Sequence, residues 1–215
     1  MKGQQSLTIG VGYFRFKPME ESLILASASP RRRELLRKSG LSFDVVVAEV
    51  DERLPAHLPL SEAVMAVAVQ KATWVSRRYP RRWVLAADTV VALEGEVFLK
   101  PESAKEAVTM LKRLSGRSHE VLTGYCLQNL SRKRTRKGVE KTIVTMRRLR
   151  QEEIDRYVES GEPFDKAGGY AIQEAGGAFI TRIYGSYSNV VGLPLAEVVS
   201  LLLEEGVMVP WKKVA

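Results

Sequence analysis

Cysteine and histidine are scarce in this chain of 215 residues, which has one cysteine, Cys126, and two histidines, His57 and His119. A single cysteine excludes an internal disulfide and a cysteine-rich metal site, and it is typical of a reducing compartment, so we expect a cytoplasmic protein. Cys126 lies in an apolar segment and is expected to pack in the core. Neither histidine is near an obvious nucleophile in the sequence, and we expect both at the surface.

Long apolar runs and the common catalytic motifs are also missing from the sequence. No apolar run approaches the length of a membrane-spanning helix and no signal peptide is recognisable, so we expect no membrane association. The chain has no phosphate loop of the GxxxxGKS or GxxxxGKT type, no HExxH zinc motif and no GxSxG nucleophile elbow. Residues 10–12 lack the third glycine and the helix of a dinucleotide-binding fingerprint.

Basic residues outnumber acidic ones, 33 to 25, which gives a formal net charge of +8. This excess favours polyanionic partners, but it does not separate a nucleic acid from a nucleotide. Two basic clusters, at residues 77–82 and 132–137, contain no interleaved aromatic side chain except Tyr79. They are therefore weak evidence for nucleic-acid binding, and we expect no stable nucleic-acid complex.

The predicted order of helices and strands is mixed, with no internal repeat and no linker rich in Pro, Gly or Ser. We expect residues 1–18 to be an N-terminal extension and residues 19–215 to form a single α/β domain. Predicted strands cover residues 23–25, 43–48, 83–93, 97–99, 121–129, 139–146 and 178–183. Predicted helices run from Pro30 to the C-cap glycine Gly40 and over residues 61–79, 102–114, 151–159 and 194–205.

Residues 22–33 bring a short buried strand into a polar turn rich in guanidinium groups. Ser29 is a good N-cap and Pro30 favours the first helical position, so the free N–H groups of a helix are predicted to point at the strand end. Basic side chains in a first turn oppose the helix dipole, which suggests an anion between them; the alternative is a solvated basic face. The hydroxyl of Ser27 is a further donor for the same anion. The first-turn arginines are Arg31, Arg32 and Arg33.

Asp88 interrupts a predicted strand that is otherwise apolar enough to be central. A carboxylate in that position is costly unless it is paired, hydrogen-bonded or bound to a metal. Glu52 follows the second predicted strand and is the natural second carboxylate, and two such ligands with open water positions are typical of Mg²⁺ or Mn²⁺. The alternatives are an Asp88 bonded to nearby backbone, a surface Glu52 and a Thr89 that is an ordinary strand residue.

Two lysines are placed where they can contact an anion. Lys71 is the only charge between Glu62 and Arg77 on an otherwise apolar helix, so it either reaches water or points at an anion. Lys100 stands before Pro101 at the end of a strand, where it is either poised to reach a phosphate or simply exposed.

Five short motifs, in order within residues 22–203, resemble those of the Maf family of nucleoside triphosphate pyrophosphatases. They are SASPRRRELL at Ser27–Leu36, AADTVV at Ala86–Val91, LKP at Leu99–Pro101, EPFDKAGGYAIQ at Glu162–Gln173 and GSYSNVVGLPL at Gly185–Leu195. The resemblance implies a mixed twisted sheet flanked by helices, with two lobes around a central nucleotide cleft, similar to the inosine triphosphatase fold. It also implies a divalent cation and hydrolysis of a nucleoside triphosphate to the monophosphate and pyrophosphate.

Within that family, the DKAGGYAIQ segment is similar to the branch that acts on dTTP and UTP. The resemblance places the catalytic acid/base at Asp88 and the specificity positions at Arg32, Thr89 and Gln173. The amide of Gln173 suits this role because it offers both a donor and an acceptor to the imide edge of uracil or thymine. The predicted metal ligands are Glu52 and Asp88, and the predicted substrate contacts are Ser27, Arg31, Arg32, Lys71, Thr89, Lys100 and Gln173.

Other functions stay open at this point. A pyrophosphatase of the same family that acts on 7-methyl-GTP, or on many nucleotides, would share most of these motifs. A non-catalytic nucleotide-binding regulator of cell division would use the same phosphate site without the acid pair, and a basic nucleic-acid binder would use only the basic clusters. The resemblance also implies a homodimer.

Overall fold

A seven-stranded mixed sheet forms the centre of the protein, and the structure, a computed structural model, describes residues 23–208. The strands are β1 (Leu23–Leu25), β2 (Phe43–Val45), β3 (Trp83–Leu93), β4 (Glu96–Phe98), β5 (Ser118–Asn129), β6 (Arg134–Met146) and β7 (Ile180–Tyr184). Their spatial order is β2-β1-β3-β5-β6-β7, and β4 pairs with β3 outside this path. The pairings of β1 with β2 and β3 are parallel and the other pairings are antiparallel, which confirms the predicted mixed α/β class.

Six α-helices flank the sheet in the part of the chain that the structure describes. They are α1 (Pro30–Lys38), α2 (Leu60–Arg78), α3 (Ala104–Leu114), α4 (Gln151–Glu159), α5 (Tyr187–Val191) and α6 (Leu195–Glu204). Short 3₁₀ turns occur at Glu162–Asp165, Ala167–Gly169 and Ala175–Phe179. Within residues 23–208, none of the helices has the length and apolar character needed to cross a membrane.

Both faces of β3 are covered, which explains its almost continuous apolar sequence. Because side chains alternate along a strand, Val84 and Ala86 join an apolar cluster with α2, whereas Leu85 and Ala87 join a cluster with α1 and α6. Farther along the strand, Val91 belongs to a third cluster around α3 and α4. The first two clusters form one lobe of the protein and the third cluster forms the other, and β3 runs through both lobes.

In the described part of the chain, the middle of β3 has no partner strand along one of its two edges. Residues 83–85 pair with β1 and residues 91–93 pair with β4, whereas residues 86–90 lie between these two partners. The opposite edge of β3 pairs with β5 from residue 84 to residue 92. The polar pair Asp88 and Thr89 therefore lies in a gap of the sheet edge, where a ligand can approach the strand.

Several predicted boundaries are corrected by the structure. β2 ends at Val45 instead of residue 48, and α2 begins at Leu60. Ser61 is not the cap of α2, because the carbonyl of Pro59 already accepts the first helical hydrogen bonds. β6 begins at Arg134, so most of the loop predicted at residues 131–138 is a strand.

Helix α5 is missing from the sequence-based assignment because it has only five residues, too few for a hydrophobic period. The hydroxyl of Ser186 accepts a hydrogen bond from the backbone N–H of Asn189 at 3.2 Å and so caps this helix. The predicted N-terminal extension, residues 1–18, lies outside the described residues.

Candidate active site

A cleft of about 630 Å³ opens at the gap in the edge of β3. Its walls come from the end of β1, the first turn of α1, the segment after β2, and residues 99–102, 165–173 and 190–192. All the residues predicted to act in catalysis, metal binding or substrate binding line this cleft. They are Ser27, Arg31, Arg32, Glu52, Lys71, Asp88, Thr89, Lys100 and Gln173. The structure thus brings the predicted set together, and the role of each residue stays a prediction.

The acidic side of the cleft is built around Lys71 of α2. Its Nζ atom lies 2.7 Å from Oδ1 of Asp88 and 2.9 Å from Oε2 of Glu52, and the residue is 5% exposed. Lys71 therefore points at anions, but these anions are carboxylates of the protein itself. Two carboxylates and one ammonium leave a net charge of −1 at this point of the cleft.

A glycine on β5 brings α2 close enough for this contact. Gly124 pairs with Asp88 across the sheet, and a Cβ atom at Gly124 would lie 2.6 Å from the backbone of Met65 on α2. That separation is too short for any non-bonded contact, so only glycine allows the helix to pack this closely on the sheet. The close packing places Lys71, six residues after Met65 on the same helix, beside Asp88.

The two carboxylates fit the predicted divalent cation. Oxygens of Asp88 and Glu52 both lie within hydrogen-bonding distance of Lys71 Nζ, so the two carboxylates are close neighbours and can bind one cation beside the lysine. Mg²⁺ characteristically binds one or two carboxylates and completes its coordination with water and substrate phosphate oxygens. No group of three or more metal-ligating His, Cys, Asp or Glu side chains occurs in residues 23–208, so a cation here would depend on substrate and water for its other ligands.

The first turn of α1 supplies the basic side of the cleft. Ser29 accepts a 3.4 Å hydrogen bond from the backbone N–H of Arg32, in agreement with the predicted N-cap. Arg31 donates to Oδ2 of Asp165 at 2.9 Å and to the backbone carbonyl of Asp165 at 3.1 Å. Arg33 is not among the residues that line the cleft, so the predicted trio of arginines provides two.

Arg32 is held by three parts of the protein. Its Nε donates to the carbonyl of Gly192 at 2.7 Å, and its Nη atoms donate to Oγ1 of Thr89 at 2.8 Å and to Oγ of Ser27 at 3.3 Å. Burial lowers the pKa of Arg32 below its ordinary value, against the opposing effect of the Asp88 and Glu52 carboxylates. These contacts make Arg32 part of the cleft wall and also fix the hydroxyls of Ser27 and Thr89.

Asp165 and Lys166 are site residues that the sequence analysis does not assign. Lys166 is 5% exposed, and its Nζ donates to Oδ1 of Asp165 and to the carbonyl of Glu162, both at 2.6 Å. Burial would raise the pKa of Asp165, but its hydrogen bond to Lys166 and the charge of Arg31 together hold it below its ordinary value. The available signal was an acid and a base side by side before two glycines in the DKAGGYAIQ segment.

The predicted location of His119 is wrong, whereas His57 is exposed and Cys126 is buried as predicted. His119 is 1% exposed on β5, and its Nε2 atom lies 2.6 Å from the hydroxyl of Tyr170. The position is buried because Tyr170, from the segment at residues 165–173, packs on the imidazole. Tyr170 lines the cleft, so this buried pair reaches the site.

The model of the Maf-like protein family matches residues 22–205, a range that contains every residue of the cleft. The chain belongs to the Maf-like protein family. This membership confirms the resemblance stated from the five motifs.

Curated relatives of this Maf-like protein are similar over nearly their full length. A dTTP/UTP pyrophosphatase of Anaeromyxobacter dehalogenans is 50% identical over 200 residues, which are 91% of this chain and 100% of the relative. One of Bacillus pumilus is 47% identical over 86% of this chain and 97% of the relative, and one of Myxococcus xanthus is 49% identical over 88% and 95%. Among solved structures, the Staphylococcus aureus Ham1 protein matches with a TM-score of 0.48 and 13% identity, over 86% of this chain and 100% of the other.

The two basic clusters of this Maf-like protein lie close together, since the backbone N–H of Ser131, directly before the second cluster, donates to the carbonyl of Pro80 in the first at 2.8 Å. Part of their charge is balanced inside the protein. Arg134 pairs with Glu205 and Arg136 pairs with Glu204. These pairs reduce the charge that the clusters offer to a nucleic acid.

Proposed function

We propose that this protein hydrolyses the bond between the α- and β-phosphates of dTTP and UTP and releases the nucleoside monophosphate and pyrophosphate. The observation that carries the proposal is one cleft in which an Asp–Lys–Glu cluster faces the arginine-bearing start of a helix. A triphosphate needs cations along its tail and a carboxylate near the phosphorus that is attacked, and this cleft offers both. The names of the curated relatives, dTTP/UTP pyrophosphatases, agree with this assignment.

Asp88 is the proposed catalytic residue. The hydrogen bond from Lys71 occupies its Oδ1 atom, so Oδ2 is the atom assigned to accept a proton from the attacking water. As the water oxygen bonds to the α-phosphorus, the bond to the β-phosphate oxygen breaks, and pyrophosphate leaves with the electron pair. Lys71 fixes the orientation of the carboxylate, which makes it a positioning residue in this scheme as well as a cation near the triphosphate.

The triphosphate tail is assigned to the basic side of the cleft. Lys100 is exposed at the cleft, and Arg31 has a side chain with 19% exposure, so both are accessible to phosphate oxygens. The backbone N–H of Arg31 is a further donor at the end of the helix dipole that attracts anions, since Pro30 has no N–H and the N–H groups of Arg32 and Arg33 both bond to Ser29. Arg32, Ser27 and Thr89 form the wall that holds the substrate between the tail and the base.

Gln173 is assigned to the pyrimidine base. Its side chain lines the cleft, and a primary amide can donate to a carbonyl oxygen and accept from an imide N–H at the same time. Uracil and thymine offer both groups on one edge, whereas cytosine offers a different pattern. An amide held in the orientation that pairs with the imide edge therefore favours dTTP and UTP over CTP, because the same amide with its oxygen and nitrogen exchanged would match cytosine instead.

Glu52 and Asp88 are assigned to a divalent cation, Mg²⁺ or Mn²⁺. When bound, the cation would lower the pKa of a coordinated water and offset charge on the phosphates. The roles of metal ligand and proton acceptor conflict when both fall to Asp88. The conflict is removed if Glu52 holds the cation, or if a bridging water stands between Asp88 and the cation. We also propose a cytoplasmic homodimer without a stable nucleic-acid complex, on the basis of the resemblance and the single cysteine.

Pyrophosphate release from dTTP, UTP, CTP, GTP and 7-methyl-GTP, with and without Mg²⁺, tests the proposal. We expect release from dTTP and UTP that requires the cation. Preferred cleavage of 7-methyl-GTP would assign the protein to that branch of the family, and equal cleavage of all five would make it a broad-specificity enzyme. Tight nucleotide binding without release of pyrophosphate would support a non-catalytic regulator. Nucleic-acid binding that weakens steeply with salt would support a basic nucleic-acid binder.

A further inference from the structure

His119 and Tyr170 form a buried pair that has no part in the chemistry described above. The Nε2 atom of His119 lies 2.6 Å from the hydroxyl of Tyr170, and the two rings meet edge to face with centroids 5.4 Å apart. His119 is 1% exposed and Tyr170 is 6% exposed. The histidine comes from the central sheet, and the tyrosine comes from the segment that forms one wall of the cleft.

Both members of the pair are uncharged near neutral pH. Burial lowers the pKa of His119 to about 4, and burial raises the pKa of the Tyr170 hydroxyl well above its ordinary value. A neutral imidazole and a neutral phenol neither supply nor remove a proton readily at that pH, so the pair is poorly suited to acid–base catalysis. The remaining use of the contact is to hold the tyrosine in place.

The buried imidazole of His119 has no other hydrogen-bond partner that could replace the tyrosine hydroxyl within the described residues. In residues 23–208, Nδ1 of His119 is buried without a hydrogen-bond partner, so Nε2 makes the hydrogen bond of this ring. Loss of the tyrosine hydroxyl would leave a buried imidazole with no partner, which is costly. The contact therefore ties the position of Tyr170 to the sheet.

The segment that contains Tyr170 needs such a tie because of its sequence. Gly168 and Gly169 directly precede Tyr170, and both have φ near +72°. Glycine adopts this φ value easily but adopts many others as well, so these two residues do not by themselves fix the conformation of the segment. After Tyr170, the backbone N–H of Ala171 donates to the hydroxyl of Tyr157 at 3.3 Å. Two tyrosine hydroxyls thus anchor consecutive residues, and Gln173 follows only two positions later.

We propose that the hydrogen bond between His119 and Tyr170 is a positioning contact for pyrimidine recognition, which fixes residues 170–173 so that the amide of Gln173 meets the imide edge of the base. This inference rests on the proposed function. It adds two residues that determine specificity without touching the phosphates.

A set of three variants in the full chain tests the proposal. Tyr170→Phe removes only the hydroxyl, and we expect KM for dTTP to rise about tenfold with kcat changed less than about threefold, because base binding contributes equally to the ground state and the transition state. KM for CTP should change little, so discrimination should fall by a similar factor. His119→Gln keeps a polar group near the position of Nε2, so this variant should retain most of the wild-type affinity for dTTP.

The double variant His119→Phe/Tyr170→Phe distinguishes a loss of positioning of residues 170–173 from a loss of protein stability. It leaves no buried polar atom unpaired at this site, so we expect its Tm to recover relative to Tyr170→Phe. KM for dTTP should nevertheless remain raised, because the tie between the segment and the sheet is absent. A double variant with wild-type KM and wild-type discrimination would overturn the proposal and leave the pair a purely structural contact.

Tyr184→Phe is the matched control, since Tyr184 lies on β7, is 81% exposed and is not part of the cleft lining. We expect it to have wild-type kinetics. Calorimetric binding of α,β-imido-dUTP and α,β-imido-dCTP provides a readout without turnover. If the wild-type protein cleaves no nucleotide, the proposed function fails, but a preference for the dUTP analogue that is lost in Tyr170→Phe would still support the positioning role. Equal affinities of wild type and Tyr170→Phe for the dUTP analogue would refute it.

Discussion

Replacement of Asp88 by asparagine removes one charge from the cleft and changes the shape of the side chain very little. In the structure, Lys71 bridges Asp88 and Glu52, which gives this cluster a net charge of −1. Asp88→Asn makes the cluster neutral, and the amide oxygen can still accept the hydrogen bond from Lys71. We therefore expect the variant to fold with a free energy of unfolding within about 1 kcal/mol of the wild type.

Turnover should respond far more strongly than stability to this change. An amide cannot accept the proton of the attacking water, and a positioned general base typically contributes a factor of about 100 to 10,000. A hundredfold loss corresponds to about 2.7 kcal/mol in the barrier. We expect kcat for dTTP to fall by at least that factor.

The assay is pyrophosphate release at saturating dTTP and Mg²⁺, with Tm measured on the same samples. Asp44→Asn is the matched control, because Asp44 forms an exposed ion pair with Arg82 and does not line the cleft. The control should retain wild-type turnover. If Asp88→Asn retains more than a tenth of wild-type turnover, Asp88 is not the proton acceptor and the mechanism proposed above is wrong.

Three further changes have expected outcomes. Lys71→Met leaves Asp88 and Glu52 facing each other without the ammonium, so we expect a loss of about 3 kcal/mol in the free energy of unfolding. Mn²⁺ or Mg²⁺ should partly reverse this loss in thermal melts, and a variant as stable as the wild type would contradict the importance of the buried pair. Gln173→Ala should raise KM for UTP about tenfold while kcat stays near wild type, and steady-state kinetics with UTP and CTP will show whether discrimination is lost. His119 has a folded pKa of about 4 against an ordinary value of 6.5, so its contribution to stability is present above pH 6.5 and is lost as the pH falls through about 4. Urea unfolding at pH 7 and pH 5 should show about 2 kcal/mol less acid destabilisation in His119→Gln than in wild type, and an equal loss in both would refute the low pKa.

Local signals were sufficient to predict much of the fold and most of the cleft. Ser29 and Pro30 mark the start of α1, and the long apolar run of β3 with its Glu94–Gly95 turn predicts the hairpin with β4. Asp88 stands out because a carboxylate in an apolar strand requires a partner. The motifs then place the remaining site residues through the family resemblance.

Partners from distant parts of the chain account for what the sequence analysis missed. The basic stretch before residue 138 reads as a loop, yet Arg134 and Arg136 lie on β6 because this stretch pairs with the end of β5. Glu205 and Glu204, about 70 positions away in the sequence, balance their charge. The depth of His119 depends on how the 165–173 segment covers β5, which no local period reveals. Lys71 likewise reads as either exposed or bound to an anion until the packing at Gly124 shows which carboxylates it meets.

Asp88 and Thr89 are neighbours on β3, so their side chains leave the strand in opposite directions. The acid turns towards Lys71 on α2, whereas the hydroxyl turns towards Arg32 on α1. A single residue inserted or deleted before position 88 would turn both side chains to the opposite faces. An insertion would move the carboxylate into the place of Thr89, beside Arg32, and a deletion would move the hydroxyl into the place of Asp88, beside Lys71. Natural length variation in this protein should therefore occur in its connecting loops, while the count of residues from Trp83 to Asp88 stays constant.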